Sequence, residues 1–92
     1  MEIKMSEYSF DDLVRKAHHR IINSSGPVGV FRFNSRLQIL PCDGRVYKRR
    51  MKDPMAILIG VYTQDIDPQD LADDISEVVD EEPDKDEIQG QA

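Results

Sequence analysis

Four β-forming runs crowd into residues 28–63, joined by links too short to hold a helix. Runs 28–34, 36–40, 45–51 and 55–63 read as strands, by alternation or by their content of Val, Ile, Phe and Tyr. The links are Asn34-Ser35, Pro41-Cys42-Asp43-Gly44 and 52–54. A parallel pair needs a crossover of about a dozen residues, so only antiparallel hairpins fit. The run 55–63, almost wholly apolar, reads as the most buried strand.

Helix signals stand on both sides. Ser9 caps a first helix, with Asp12 three residues on and Tyr8 and Leu13 in staple positions. Phe10, Leu13, Val14, Ala17, Ile21 and Ile22 recur at helical spacing and predict one apolar face. Lys16, His19 and Arg20 fall on the other side, and Asn23-Ser24-Ser25-Gly26-Pro27 ends the helix. A second helix opens with Asp67 as cap and Pro68 in the first helical position, and Ile66 and Leu71 repeat the staple. Leu71, Ile75, Val78 and Val79 form its apolar stripe. The predicted class is α+β: a four-stranded antiparallel sheet with two helices packed on one face, in the order α-β-β-β-β-α. With 92 residues this is one small domain over 1–80, followed by an acidic tail, 81–92, expected to be disordered.

Alternation then sorts the strand side chains. Leu37, Ile39, Tyr47 and Met51 go inside, and Arg36, Gln38, Lys48, Arg50 and Lys52 outside. Phe31 and Phe33 are assigned to the core, which leaves Val30 and Arg32 on the open face. That face collects Arg32, Arg36, Lys48, Arg50 and Lys52, and Arg45 belongs to the same basic stretch. Arg49 breaks the pattern, since it falls on the inner side. Five of the eight residues 45–52 are basic. One reading is a surface for nucleic-acid phosphates. The other is a solvated strand whose charges guard an edge against aggregation. No aromatic platform for base stacking remains once both Phe residues are in the core, so base-specific reading is not expected.

Charge divides the chain in two. Residues 1–52 carry a balance of +6 and residues 53–92 one of −12, giving the net −6. Between 65 and 87 there are 12 acids and one base, Lys85. Asp70, Asp73, Asp74, Glu77 and Asp80 form a candidate acidic surface for a basic protein partner, imitating a nucleic acid. A solubilising tail and helix-dipole carboxylates are the plainer account. A tail folded back over the basic face is a third, with each exposed ion pair contributing about 0–1 kcal/mol.

The layout resembles that of small inhibitor proteins encoded by bacteriophages, such as anti-CRISPR proteins. The features concerned are a small α+β domain, Ser9-Phe10-Asp11-Asp12 opening a helix, the basic stretch 45–52 and the acidic stretch 65–87. The resemblance is one of composition and layout, so no family residue is carried over. It implies a protein that blocks a surveillance complex by occluding its nucleic-acid-binding surface.

Enzyme chemistry finds no foothold. His18 and His19 are adjacent and diverge by about 100° on a helix, and Cys42 stands apart, so no metal site or cofactor is expected. The run 65–70 lacks the glycine and glutamate of a calcium loop. There is no phosphate-binding loop, and Cys42 needs a nearby base to be a nucleophile. A single cysteine, no signal-peptide pattern and no membrane-length apolar run predict a cytoplasmic protein. The expected function is a non-enzymatic inhibitor of a host nucleic-acid-processing or surveillance complex. Its partner is a multi-subunit protein or ribonucleoprotein complex, with contact to the guide RNA or DNA backbone. The alternative is a small nucleic-acid-binding or regulatory module with a modulating acidic tail. Monomer and homodimer both fit, because a sheet of this kind leaves an open edge.

Overall fold

The computed structural model describes residues 1–80, apart from the side chains of Val79 and Asp80; the expected tail, 81–92, lies outside the described residues. In chain order the elements are β1 (Glu2–Lys4), a 3-10 turn (Met5–Glu7), α1 (Phe10–Ile22), β2 (Val28–Phe33), β3 (Arg36–Pro41), α2 (Arg45–Met51), β4 (Ile57–Tyr62) and α3 (Pro68–Asp80). The strands form one antiparallel sheet in the order β1-β3-β2-β4. The class and the four-stranded antiparallel sheet agree with the sequence.

The element order does not. The expected strand 45–51 is the helix α2. Arg45, Lys48, Arg49 and Lys52 are spaced i, i+3, i+4, i+7, which is one stripe of a helix, and Tyr47 and Arg50 take the opposite side. The vacant place in the sheet is filled by β1, which pairs with β3 so that Ile3 stands opposite Leu37. The Ile39 N–H donates to the Met1 carbonyl (2.9 Å) and extends this pairing.

Both ends predicted by capping signals are found. The Ser9 hydroxyl accepts from the Asp12 N–H (3.2 Å), and an Asp67 carboxylate oxygen accepts from the Gln69 N–H (2.8 Å) with Pro68 as the first helical residue. Between β2 and β3, Asn34 and Ser35 have φ of 54° and 64°, the left-handed pair that a two-residue type I′ hairpin demands.

α1 and α3 cover one face of the sheet. Leu13, Val14, Ala17 and Ile21 of α1 meet Leu71 and Ile75 of α3 over Ile3, Val28, Val30, Leu37, Ile39 and Tyr62. Each fully buried aliphatic side chain contributes about 1.5–3 kcal/mol. Two polar ties lock α3 and its approach. The Tyr62 hydroxyl donates to Asp74 (2.8 Å), and His18 Nε2 lies 3.2 Å from the Ile66 carbonyl oxygen.

α2 covers the other face, so the sheet has no fully open side. The register sets Val30 opposite Ile39 and Arg32 opposite Leu37, which puts Val28, Val30 and Arg32 on the α1–α3 side. Phe31 and Phe33 point the other way, beneath α2. The predicted alternation of β2 is correct, but its assignment of faces is reversed. Arg32 therefore does not join Arg36 on one surface. The reason is the helix concealed in 45–51: with α2 present, a second face needs apolar side chains of its own.

Candidate macromolecule-binding surfaces

α2 is mounted on the sheet by one ring and one guanidinium. The Tyr47 ring meets Phe31 edge-on, with centroids 5.5 Å apart and planes at 69°. It fits only because residue 29 is glycine, where an added Cβ would run into the Tyr47 ring. Burial, and after it the neighbouring Cys42 thiol, push the Tyr47 hydroxyl pKa up. Arg50 reaches down at the other end. Its Nε donates to Gln38 Oε1 (2.8 Å), its guanidinium lies 4.1 Å over the Phe33 ring, and Gln38 Nε2 donates on to Glu2 (2.6 Å). Gln38 is only 3% exposed, so both halves of its amide need these partners.

This anchoring divides the basic candidates. Arg50 is tied to Gln38 and Phe33, and Arg36 pairs with Glu2 at 3.5 Å. Arg32 is half-buried on the far side of the sheet. The remaining four, Arg45, Lys48, Arg49 and Lys52, are exposed along one ridge that faces away from the sheet. Among the described residues, no carboxylate lies in ion-pair range of any of them. Lys48 and Arg49 also sit in the last turn of α2, where cations complement the helix dipole.

The acidic candidates are arranged in the same way on α3. Asp70, Asp73, Asp74 and Glu77 occupy one stripe opposite the buried Leu71 and Ile75. Asp70, Asp73 and Glu77 are exposed, while Asp74 is half-buried and accepts from Tyr62. The Asp80 side chain lies outside the described part. Ridge neighbours on a helix stand about 5–6 Å apart at Cβ, so the exposed carboxylates form a regular row. The two ridges lie on opposite faces of one sheet.

Sequence reasoning missed Tyr47, Gly29 and Gln38 as the seat of α2. The signal present was the helical spacing of the bases, and the misfit of Arg49 in a strand pattern was its trace. It also missed the exposure of β4, which is an edge strand and not the most buried one.

One cleft, ≈ 550 Å³, lies where α1 ends beside the β2 start and the β3 end, and includes Arg20, Cys42 and Asp43 but no histidine. His18 and His19 go to separate partners, Ile66 and Asn23. Among the described residues no three His, Cys, Asp or Glu side chains gather as a metal site. No described helix is long and apolar enough to cross a membrane. No protein-family model, curated protein or solved structure matches this chain.

Proposed function

We propose that the protein is a non-enzymatic inhibitor that docks on a nucleic-acid-processing or surveillance complex and occludes the surface where that complex holds nucleic acid. This is the mode of action implied by its resemblance to phage-encoded inhibitors, and it places the protein in the cytoplasm of a host cell. The basic α2 ridge contacts the guide RNA or DNA backbone or an acidic protein surface. The acidic α3 ridge contacts basic protein, in the place a phosphate chain would occupy.

One observation carries the reading: two exposed ridges of opposite charge, each without an ion-pair partner among the described residues, held apart by the sheet. Exposed charges of one sign repel one another, and a partner of complementary charge relieves that repulsion. The aromatic rings of the α2 face are committed to packing, with Phe31 against Tyr47 and Phe33 under Arg50. Backbone contact therefore fits better than base reading.

The test is affinity capture from host extract, with mass spectrometry of the bound proteins, using three baits. These are the native chain, Lys48→Glu/Arg49→Glu, and Asp73→Lys/Glu77→Lys. The native chain is expected to retain subunits of one nucleic-acid-handling complex and to stop the purified complex from capturing its target. Each reversal is expected to abolish both. Retention by all three baits would sink the proposal.

A second reading, a free nucleic-acid-binding module, is favoured by the α2 ridge alone. It predicts binding to naked RNA or DNA with a logarithmic salt slope near −0.7 to −0.9 per phosphate contacted, roughly −3 for four contacts. The inhibitor reading predicts no such binding at physiological salt.

A further inference from the structure

The sheet has two edges, and short length and charge guard only one of them. β1 is three residues long and carries Glu2 and Lys4. Short length and charge are the usual defences of an edge against pairing with another chain. β4 has neither defence. It runs for six residues, Ile57–Tyr62, and no charged residue occurs between Asp53 and Asp65. Large apolar side chains stand exposed along it and before it: Met55 is 70% exposed, Val61 50%, Ile57 41% and Leu58 39%.

The order of faces along β4 identifies what fits this edge. A bulge shifts the β2–β4 register, so that Val30 pairs with Gly60 and Phe31 with Leu58. Ile59 is the extra residue and packs on the α1–α3 core. Tyr62, opposite Val28, and Ile57, opposite Arg32, also belong to that side. Leu58 and Val61, opposite Phe31 and Gly29, belong to the α2 side. From residue 57 to 62 the sequence of faces reads the same in both directions about the midpoint of Ile59 and Gly60.

In an antiparallel pair, directly opposed residues share a face. A regular alternating strand cannot pair with itself about a point between two residues, because each residue would meet one of the opposite face. β4 can, because its bulge puts two neighbours on one side. Leu58 then meets Val61 of the other copy, Ile57 meets Tyr62, and Ile59 meets Gly60, each pair on a common face.

We propose that β4 is a homodimer interface, in which two copies of the chain join their β4 strands antiparallel about a two-fold axis perpendicular to the sheet. The joined sheet is continuous through both copies, and both α2 helices stand on the same side of it. The exposed Leu58 and Val61 of each copy become buried against each other. The inference stands whatever α2 and α3 bind.

The test is analytical ultracentrifugation of the full chain across micromolar to millimolar concentration. A reversible dimer of twice the chain mass is expected. Val61→Lys places an unpaired charge in the joined strand and is expected to weaken dimerisation on the order of 100-fold, with an unchanged circular dichroism spectrum. Ile57→Lys, at the other end of the strand, serves as the second variant. Register is read by mixing Leu58→Cys and Val61→Cys chains, both carrying Cys42→Ser to remove the native thiol, under oxidation, where the mixed disulfide should outpace either like pair. A chain that stays monomeric throughout overturns the proposal, including the case in which deleting 81–92 releases a dimer, since the edge is then covered by the chain itself. A dimer unaffected by both lysine variants, or one that cross-links as like pairs, overturns it as well.

Discussion

α2 and α3 are built to one plan and held in different ways. Each presents a ridge of like charge to solvent, basic on α2 and acidic on α3. α3 is thirteen residues long and sinks Leu71 and Ile75 into the main core. α2 is seven residues long and has no buried residue; it rests on Tyr47 and Arg50. The acidic ridge therefore comes with the fold, whereas the basic ridge is an attachment that the fold can outlive. Apolar burial grows with area, so the deep helix governs global stability and the shallow one governs local order.

The largest effect is expected where α3 meets the core. Ile75→Ala should cost about 2–5 kcal/mol and lower the urea midpoint of the whole chain. Gly29→Ala is the matching change beneath α2. Its methyl displaces the Tyr47 ring, with an expected cost of about 1–3 kcal/mol. The two should differ in kind, since amides 45–51 lose hydrogen-exchange protection in Gly29→Ala while α1 and α3 keep theirs. Equal loss everywhere would mean that α2 is as integral as α3.

A smaller contrast lies within the basic set. Arg50→Ala removes the Gln38 hydrogen bond and the cover over Phe33, and should cost about 1–2 kcal/mol. Arg49→Ala, on the exposed ridge, should stay within about 0.5 kcal/mol. Urea unfolding of both variants distinguishes them, and the roles reverse for partner binding.

The smallest effect concerns pH. Burial, then the bond to Asp74, raises the Tyr62 pKa well above its ordinary value. The folded state keeps this proton while the unfolded chain releases it, so the stabilisation is complete below the unfolded value of about 10 and declines as pH rises past it. Stability above that pH should fall in the native chain and fall less in Tyr62→Phe, as thermal melts across the alkaline range would report.

The elements readable from sequence were those written locally. Ser9 with Asp12 and Asp67 with Pro68 marked their helices because capping is a contact between near neighbours. The Asn34-Ser35 link gave a hairpin for the same reason. What was not legible depended on distant contacts. β1 is three residues whose only buried side chain, Ile3, gains meaning from its place opposite Leu37. α2 contains Tyr47 and Met51 at strand-compatible positions, and only the stripe of Arg45, Lys48, Arg49 and Lys52 argued for a helix. Mistaking α2 for a strand left one face open and so forced Phe31 onto the wrong side. β4 was read as deeply buried because hydrophobicity records what a strand can bury, not what stands beside it.

The most direct measurement of the central claim is partner affinity for the native chain beside Lys48→Glu/Arg49→Glu and Asp73→Lys/Glu77→Lys, with far-ultraviolet circular dichroism on each. Two separate charged surfaces predict that each reversal weakens binding at least tenfold, about 1.4 kcal/mol, while the spectra stay the same. Unchanged affinity in both folded variants would contradict it.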